Sequence, residues 1–376
     1  MDTFYFRKTN SGTLLSCMLP LLMFTSPARA QQATSSSVVL YGLVDAGFDS
    51  TSNVAGVRQS RIQSGQWTGS NWGIRVTEDL GGGMAALANL EAGVNLDTGE
   101  STVPATLFDR RAIVGFRSAS LGTLTLGRQP DLIEWLNPLT TNRLAGNIAL
   151  GVHGLAASGQ SNRVNVVRMS NSLRYESAPW HGLSAGAYVA LSEDARQPAN
   201  GRSEGLGARY VQGPWQAVAV WYRFKGDDAQ WNGSNRPVAA ASGGLIRTDR
   251  VAGAGLSYET ARFRLSGIYT DESNHLFVNS PRTRVLDLNL TLPMAAWTFG
   301  AGLQTQSVKW ANAQPNDSYR QLSLAVTYAM SRRTNLYAHL ARQVTSAGDK
   351  ARLGATAGAS SNERQSGVRL GIRHTF

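Results

Sequence analysis

The chain has 376 residues, 42% of them hydrophobic and 16% charged, with 39 glycines, 12 prolines and a formal net charge of +11. So low a charged fraction excludes a disordered chain, and the glycines follow no triplet period, which excludes collagen. After the N-terminus no run reaches the roughly 20 apolar residues that a spanning helix needs, so a helical membrane protein is excluded.

In chain order, the first predicted element is a secretory signal over residues 1–30. Arg7 and Lys8 give the positive start, Leu14 to Phe24 the apolar stretch, and Ala28-Arg29-Ala30 the cleavage site. The mature chain then begins at Gln31, and the single cysteine, Cys17, leaves with the signal, which removes disulfides, thiolate metal sites and cysteine catalysis. A lipoprotein signal ending at Cys17 is the alternative, but few apolar residues precede that cysteine. The mature chain carries +9, mostly as arginine, since the only lysines are Lys8, Lys225, Lys309 and Lys350. Basic chains often bind nucleic acid, but an exported one meets little of it. The arginines also lie singly along β-patterned segments, so we read the charge as lining something that meets anions, with no nucleic-acid partner.

From Val38 onward one unit repeats: about ten residues alternating apolar and polar, then a turn. Leu286, Leu288, Leu290 and Leu292 alternate with Asp287, Asn289 and Thr291, the period of a strand with one apolar face. Strands are predicted near 38–50, 70–79, 84–97, 108–118, 122–128, 166–176, 183–191, 204–211, 215–225, 250–259, 262–272, 283–292, 295–310, 319–330, 334–343 and 364–376. Short turns such as Leu80 to Gly83 and Pro293-Met294 alternate with long polar connections such as Gly226 to Asp249. Sixteen strands with short turns at one end and long loops at the other are the pattern of an all-β transmembrane barrel over 31–376. A soluble sandwich gives no reason for that alternation. Lipid offers no partner to an unpaired backbone group, so the sheet must close, with its apolar face turned out and its polar face in. Trp180, Tyr210, Trp215, Tyr258, Phe263, Trp297 and Tyr328 fall near strand ends, where aromatic rings suit the headgroup boundary.

The segments 37–47 (SVVLYGLVDAG), 72–83 (WGIRVTEDLGGG), 124–129 (LTLGRQ), 171–177 (NSLRYES) and 371–376 (GIRHTF) resemble the trimeric general-diffusion porins of Gram-negative bacteria, particularly the beta-proteobacterial type. The likeness runs from residue 37 to 376. It implies a sixteen-stranded trimeric barrel in the outer membrane passing small hydrophilic solutes, with a third loop folded into the lumen. Independently, 129–165 is the longest connection and too apolar for disorder: Leu132, Ile133, Trp135, Leu136, Leu139, Leu144, Ile148, Leu150, Val152 and Leu155 need burial. Asp131 to Leu136 is expected to form a helical turn there, with Asp131 as its cap as an alternative role.

Rings of charged side chains decide which ions pass a narrowing. By parity Asn71, Gly73, Arg75 and Thr77 face inward. The resemblance places wall arginines at Arg110 and Arg168, with Arg174 on the parity of Arg168, and puts Asn71 where the family usually has arginine. Asp131 and Glu134 are the only acids of the third loop, beside Arg143, Arg163 and His153. Arg110 and Arg168 are expected to face Asp131 and Glu134, leaving the aperture net positive and mildly anion-selective, with small solutes and anions as its partners. On that arrangement Arg110→Glu with Arg168→Glu reverses the preference, and Asn71→Arg strengthens it.

No cofactor, metal or catalytic site is expected. The five histidines show no ligand spacing, there is no G-x-S-x-G, and Gly81-Gly82-Gly83 opens a strand rather than a helix. An outer-membrane hydrolase would need His, Ser and an Asn or acid at one height on neighbouring strands, which the sequence does not assemble. A channel selective for anionic nutrients and a barrel-based adhesin are the remaining alternatives. Val39, Ala46, Phe48, Ala85, Ala86, Ala88 and Ala92 mark a wall of small and apolar residues for packing in a homotrimer. Val368, Leu370, Ile372 and Phe376 share the lipid face of the last strand. The resemblance makes Phe376 the signal read by the outer-membrane insertion machinery.

Overall fold

The computed structural model describes residues 36–376 apart from 66, 146–167, 194, 197, 227–246, 275–281, 311–314, 347 and 354–357. The predicted signal lies outside the described residues, as do Ile148, Leu150, Val152, His153, Leu155 and Arg163. Among the described residues seventeen strands form one antiparallel sheet: β1 Ser37–Val54, β2 Val57–Ser64, β3 Asn71–Gly81, β4 Met84–Gly93, β5 Arg111–Ser118, β6 Gly122–Pro130, β7 Arg168–Glu176, β8 Leu183–Ala190, β9 Arg202–Gln212, β10 Trp215–Gly226, β11 Arg247–Glu259, β12 Arg264–Asn274, β13 Arg282–Met294, β14 Trp297–Lys309, β15 Asp317–Ala329, β16 Thr334–Thr345 and β17 Arg364–Thr375.

These make sixteen staves, because the second is broken in two. Along one edge of β1, residues 37–43 pair with β3 and 46–54 with β2, while the other edge pairs with β17 and closes the barrel. The sequence pattern predicts a loop over 51–69. In the structure a tight turn at Ala55-Gly56 starts a strand at Val57, and the chain breaks only over 65–70.

The inside-out alternation is clear on β13. Leu286 and Leu288 are 41% and 46% exposed, while Asp287 between them is 0% exposed. Of the residues expected on the small-residue wall, Phe48, Ala86 and Ala88 share the outward parity, with Phe48 opposite Leu370 across the seam. Val39 and Ala85 lie on the inward parity, Val39 opposite inward Arg75.

The C-terminus joins that seam. The Phe376 amide donates to the Gly42 carbonyl at 3.0 Å and the Gly42 amide donates to the Phe376 carbonyl at 3.1 Å. A Cβ on Gly42 would stand 2.5 Å from the Phe376 ring, so the ring lies over a position with no side chain.

Candidate functional site

The connection after β6 turns at once into a 3-10 helix, Leu132–Leu139. Asp131 caps it, its carboxylate accepting the Ile133 amide at 3.0 Å. Asp131 is buried in that role. Leu132, Ile133, Trp135, Leu136 and Leu139 are 4% exposed or less. They pack on the inner wall of β8 to β12, where Tyr188, Val218, Val220, Tyr222, Val251 and Ile268 stand in place of polar residues. Each such side chain taken out of water stabilises the docked loop by about 1.5–3 kcal/mol. A short helix α1, Asn142–Ala145, follows.

The wall receives this segment where it lacks side chains. A Cβ on Gly186 would stand 2.6 Å from the Trp135 ring, one on Gly253 2.6 Å from Leu136 and one on Gly255 2.6 Å from Leu139. Gly300 and Gly302 on β14 face Leu144 and Thr141 at still closer range. Polar side chains then latch the backbone. Asp287 accepts the Thr141 amide at 2.9 Å and its hydroxyl at 2.5 Å. Asn289 Nδ2 donates to the Leu139 carbonyl at 2.8 Å and Arg264 Nη2 to the Pro138 carbonyl at 2.9 Å.

The break in the second stave reaches the same loop at Arg143. Asp45 organises it: Oδ2 accepts the Trp67 and Thr68 amides at 3.2 and 3.0 Å, and Oδ1 accepts the Tyr337 hydroxyl at 2.8 Å. Trp67 then donates its indole N–H to the Arg143 carbonyl at 3.1 Å, with the Arg373 guanidinium 4.1 Å over its ring. A lumenal tryptophan ties the loop to the seam.

At the loop's root the charges gather on β3, β5 and β7. Glu134 forms an ion pair with Arg174 and lies 3.6 Å from Arg111. Arg174 also pairs with Glu176 at 2.5 Å and donates to the Pro130 carbonyl at 3.0 Å. Arg75 stands 4.7 Å over the Tyr41 ring. A cavity of about 390 Å³ is lined by Arg75, Arg111, Arg117 and Arg174 against Glu134 and Glu176, so its wall is net positive. Toward the short turns Arg117, Arg209 and Glu176 line a second cavity of about 600 Å³.

The residues expected at the narrowing therefore separate. Arg75, Arg174 and Glu134 come together. Arg110 instead pairs with Glu91 at 2.6 Å, ahead of the first residue of β5. Arg168 lies within electrostatic reach of Arg110, Glu91, Asp109 and Arg128 rather than beside Arg174. The shared parity of Arg168 and Arg174 fails because Asn171, at φ +53°, adds a residue between them and the register with β6 shifts. Met169 takes the inward place and packs in the loop's apolar cluster. Asn71 is buried and donates to the Gly69 carbonyl at 2.9 Å, so it closes the stave break. Arg111 and Arg117 were missed, yet a signal existed: with Val114 and Phe116 turned to lipid, parity puts both arginines inside.

A family model described as Gram-negative porin matches residues 17–348. An outer membrane porin protein of Bordetella pertussis is 29% identical over 384 residues, covering 87% of this chain and 92% of the relative. Among solved structures, an anion-selective porin from Comamonas acidovorans superposes with a TM-score of 0.74 at 24% identity, covering 91% of this chain and all of that one. The OmpT outer membrane protein of Vibrio cholerae, in trimer form, gives 0.65 at 14% identity over 91% of this chain and all of its own. With its closed antiparallel sheet, outward leucines and lumen-bound loop, the chain belongs to the Gram-negative porin family and is a β-barrel of the outer membrane.

Proposed function

We propose that the chain, freed of residues 1–30 as a signal, works as a homotrimeric, water-filled channel through which small hydrophilic solutes and ions diffuse passively, with a mild preference for anions. The net positive wall of Arg75, Arg111, Arg117 and Arg174 beside the docked loop is the observation that carries it. The anion-selective solved relative and the trimeric one support the sign and the assembly. In a planar bilayer the conductance is expected to rise in proportion to salt and to appear in groups of three steps. Current that saturates with one anionic solute would instead mark a substrate-selective channel, and no current an adhesin.

Phe376 is proposed as the assembly signal, on the evidence of its terminal seat at the seam. Deleting it removes the backbone pair with Gly42 as well as the ring, whereas Phe376→Ala keeps the pair. Both are expected to lower the amount of barrel in the membrane. Full membrane levels of Phe376→Ala would assign the residue to seam closure alone.

A further inference from the structure

The docked loop covers a second cavity, of about 330 Å³, which shares no lining residue with the one at the loop's root. Arg143 and Leu144 form its roof, and it extends to Thr260 and Pro293, beside the short turns that end β11 and β13. The roof is fixed from two sides. The Trp67 indole holds the Arg143 carbonyl at 3.1 Å, and Leu144 fills the space over Gly300. With its backbone held and its side chain exposed, Arg143 has no ion-pair partner among the described residues.

Arg264 enters the same cavity from the wall. It is buried, gives Nη2 to the Pro138 carbonyl, and keeps Nε 3.2 Å from Glu259. Arg143 lies within electrostatic reach of it. Glu259 is the one acid of the lining, so the two guanidiniums leave the cavity a single positive charge in excess. The remaining wall is neutral and rich in hydroxyls. Thr291 lies opposite Gly300 on the ladder, Thr298 opposite Thr327, and Thr327 opposite Tyr337, which gives all three the lumenal parity. Asn335 shares that parity two residues before Tyr337. These four side chains make no hydrogen bond among the described residues, so three hydroxyls and an amide are open to a solute.

We propose that this cavity binds a sugar acid, a solute with one carboxylate and several hydroxyls, its carboxylate between Arg143 and Arg264 and its hydroxyls on the threonines and Asn335. One carboxylate balances the excess charge, and the planar guanidinium fork matches carboxylate geometry. A hydroxyl both donates and accepts, so a polyol meets a threonine wall without leaving either side unsatisfied. An uncharged sugar leaves the two cations without a counter-charge, and a short carboxylate leaves the wall to water. The inference rests on the passage of small solutes proposed above and gives one class of them a resting place beneath the loop.

The test is a planar-bilayer recording of the unmodified channel in potassium chloride, with glucuronate, lactate, glucose or leucine added in turn at the short-turn side. Glucuronate is expected to interrupt the current saturably, at a half-saturating concentration about tenfold below those of lactate and glucose. The potassium chloride current should still rise in proportion to salt, which separates one resting site on a diffusion path from a channel dedicated to one solute. Arg143→Gln keeps the carbonyl that Trp67 holds and should raise the glucuronate value about tenfold. Thr298→Val with Thr327→Val removes hydroxyls without charge, and should raise the glucuronate value while leaving that of lactate alone. Glucuronate and lactate acting alike on the unmodified channel overturn the proposal. So does undiminished glucuronate action on a conducting Arg143→Gln channel, and leucine acting at a lower concentration than glucuronate would assign the cavity to zwitterions instead. Each of these failures leaves the chloride current standing, whereas the absence of any current in the unmodified protein would overturn the diffusion reading and this inference with it.

Discussion

Gly300→Leu is expected to open the channel. The space a side chain would take at Gly300 is filled by Leu144, and the neighbouring Gly302 is covered by Thr141. The β13–β14 and β14–β15 ladders continue past both positions. The ladder is the stronger partner, so the docked segment must give way and the barrel wall stays. Forcing extra methylenes into a packed contact costs about 1–3 kcal/mol, comparable to what one apolar side chain of the loop gains by docking. A rise in single-channel conductance with noisier open current is expected, while the yield of assembled barrel stays normal. Asp287→Ala should act in the same direction, since the Thr141 amide and hydroxyl lose their acceptor, at about 1–3 kcal/mol for each group left unsatisfied. Unchanged conductance in both variants would mean that the loop does not limit the current.

The second large effect is a change of sign. Arg75→Glu with Arg111→Glu is expected to turn the proposed chloride preference into one for potassium. Both arginines line the cavity at the loop's root, and the two acids there, Glu134 and Glu176, are already engaged by Arg174. A unit charge about 4 Å from a passing ion acts with about 4 kcal/mol at an effective dielectric near 20, against about 1 kcal/mol in bulk water. Charges on the outer loops are screened beyond about 8 Å at physiological salt. Arg247→Glu, at the outer end of β11, should therefore change little. Arg110→Glu should act differently from a wall reversal: it places two carboxylates together at Glu91, so its expected effect is on folding yield. A permeability ratio that does not cross unity in the Arg75/Arg111 variant would remove these side chains from the selectivity site.

The staves were readable because the middle of most of them obeys one rule: Leu286 to Leu292 on β13, Gln321 to Leu324 on β15 and Val368 to Arg373 on β17 alternate leucine, valine or isoleucine with polar or small residues, as a wall between lipid and water requires. The rule blurs where the inner wall is not wet. On β10, Val218, Val220, Tyr222 and Phe224 face inward beneath the loop, so both faces of that strand are apolar and parity carries no signal. The glycines of the seat were visible as residues but not as a seat, since their partners lie about 50 to 160 positions away along the chain. The stave break escaped for a different reason. On β2 only Val57 and Ile62 are exposed large apolar residues, too few to mark a strand, and Asp45, which holds the break together, looks like any inward acid.

Among the site residues, local parity served where the strand was regular and failed at irregularities. Arg75 and Arg174 sit on uninterrupted stretches and line the lumen. Arg168 lies beyond the Asn171 bulge and Arg110 before the start of β5, two places where counting by twos loses its meaning. Glu134 found its wall partners because the helix cap at Asp131 fixes the loop's direction as it leaves β6.

The central claim, a diffusion channel whose wall beside the docked loop is net positive, is tested most directly by the zero-current potential of the unmodified channel across a potassium chloride gradient. The account expects a potential whose sign shows chloride to be the more permeant ion, and one that shrinks as salt is raised on both sides. A potential of the opposite sign, with potassium the more permeant ion, would contradict it.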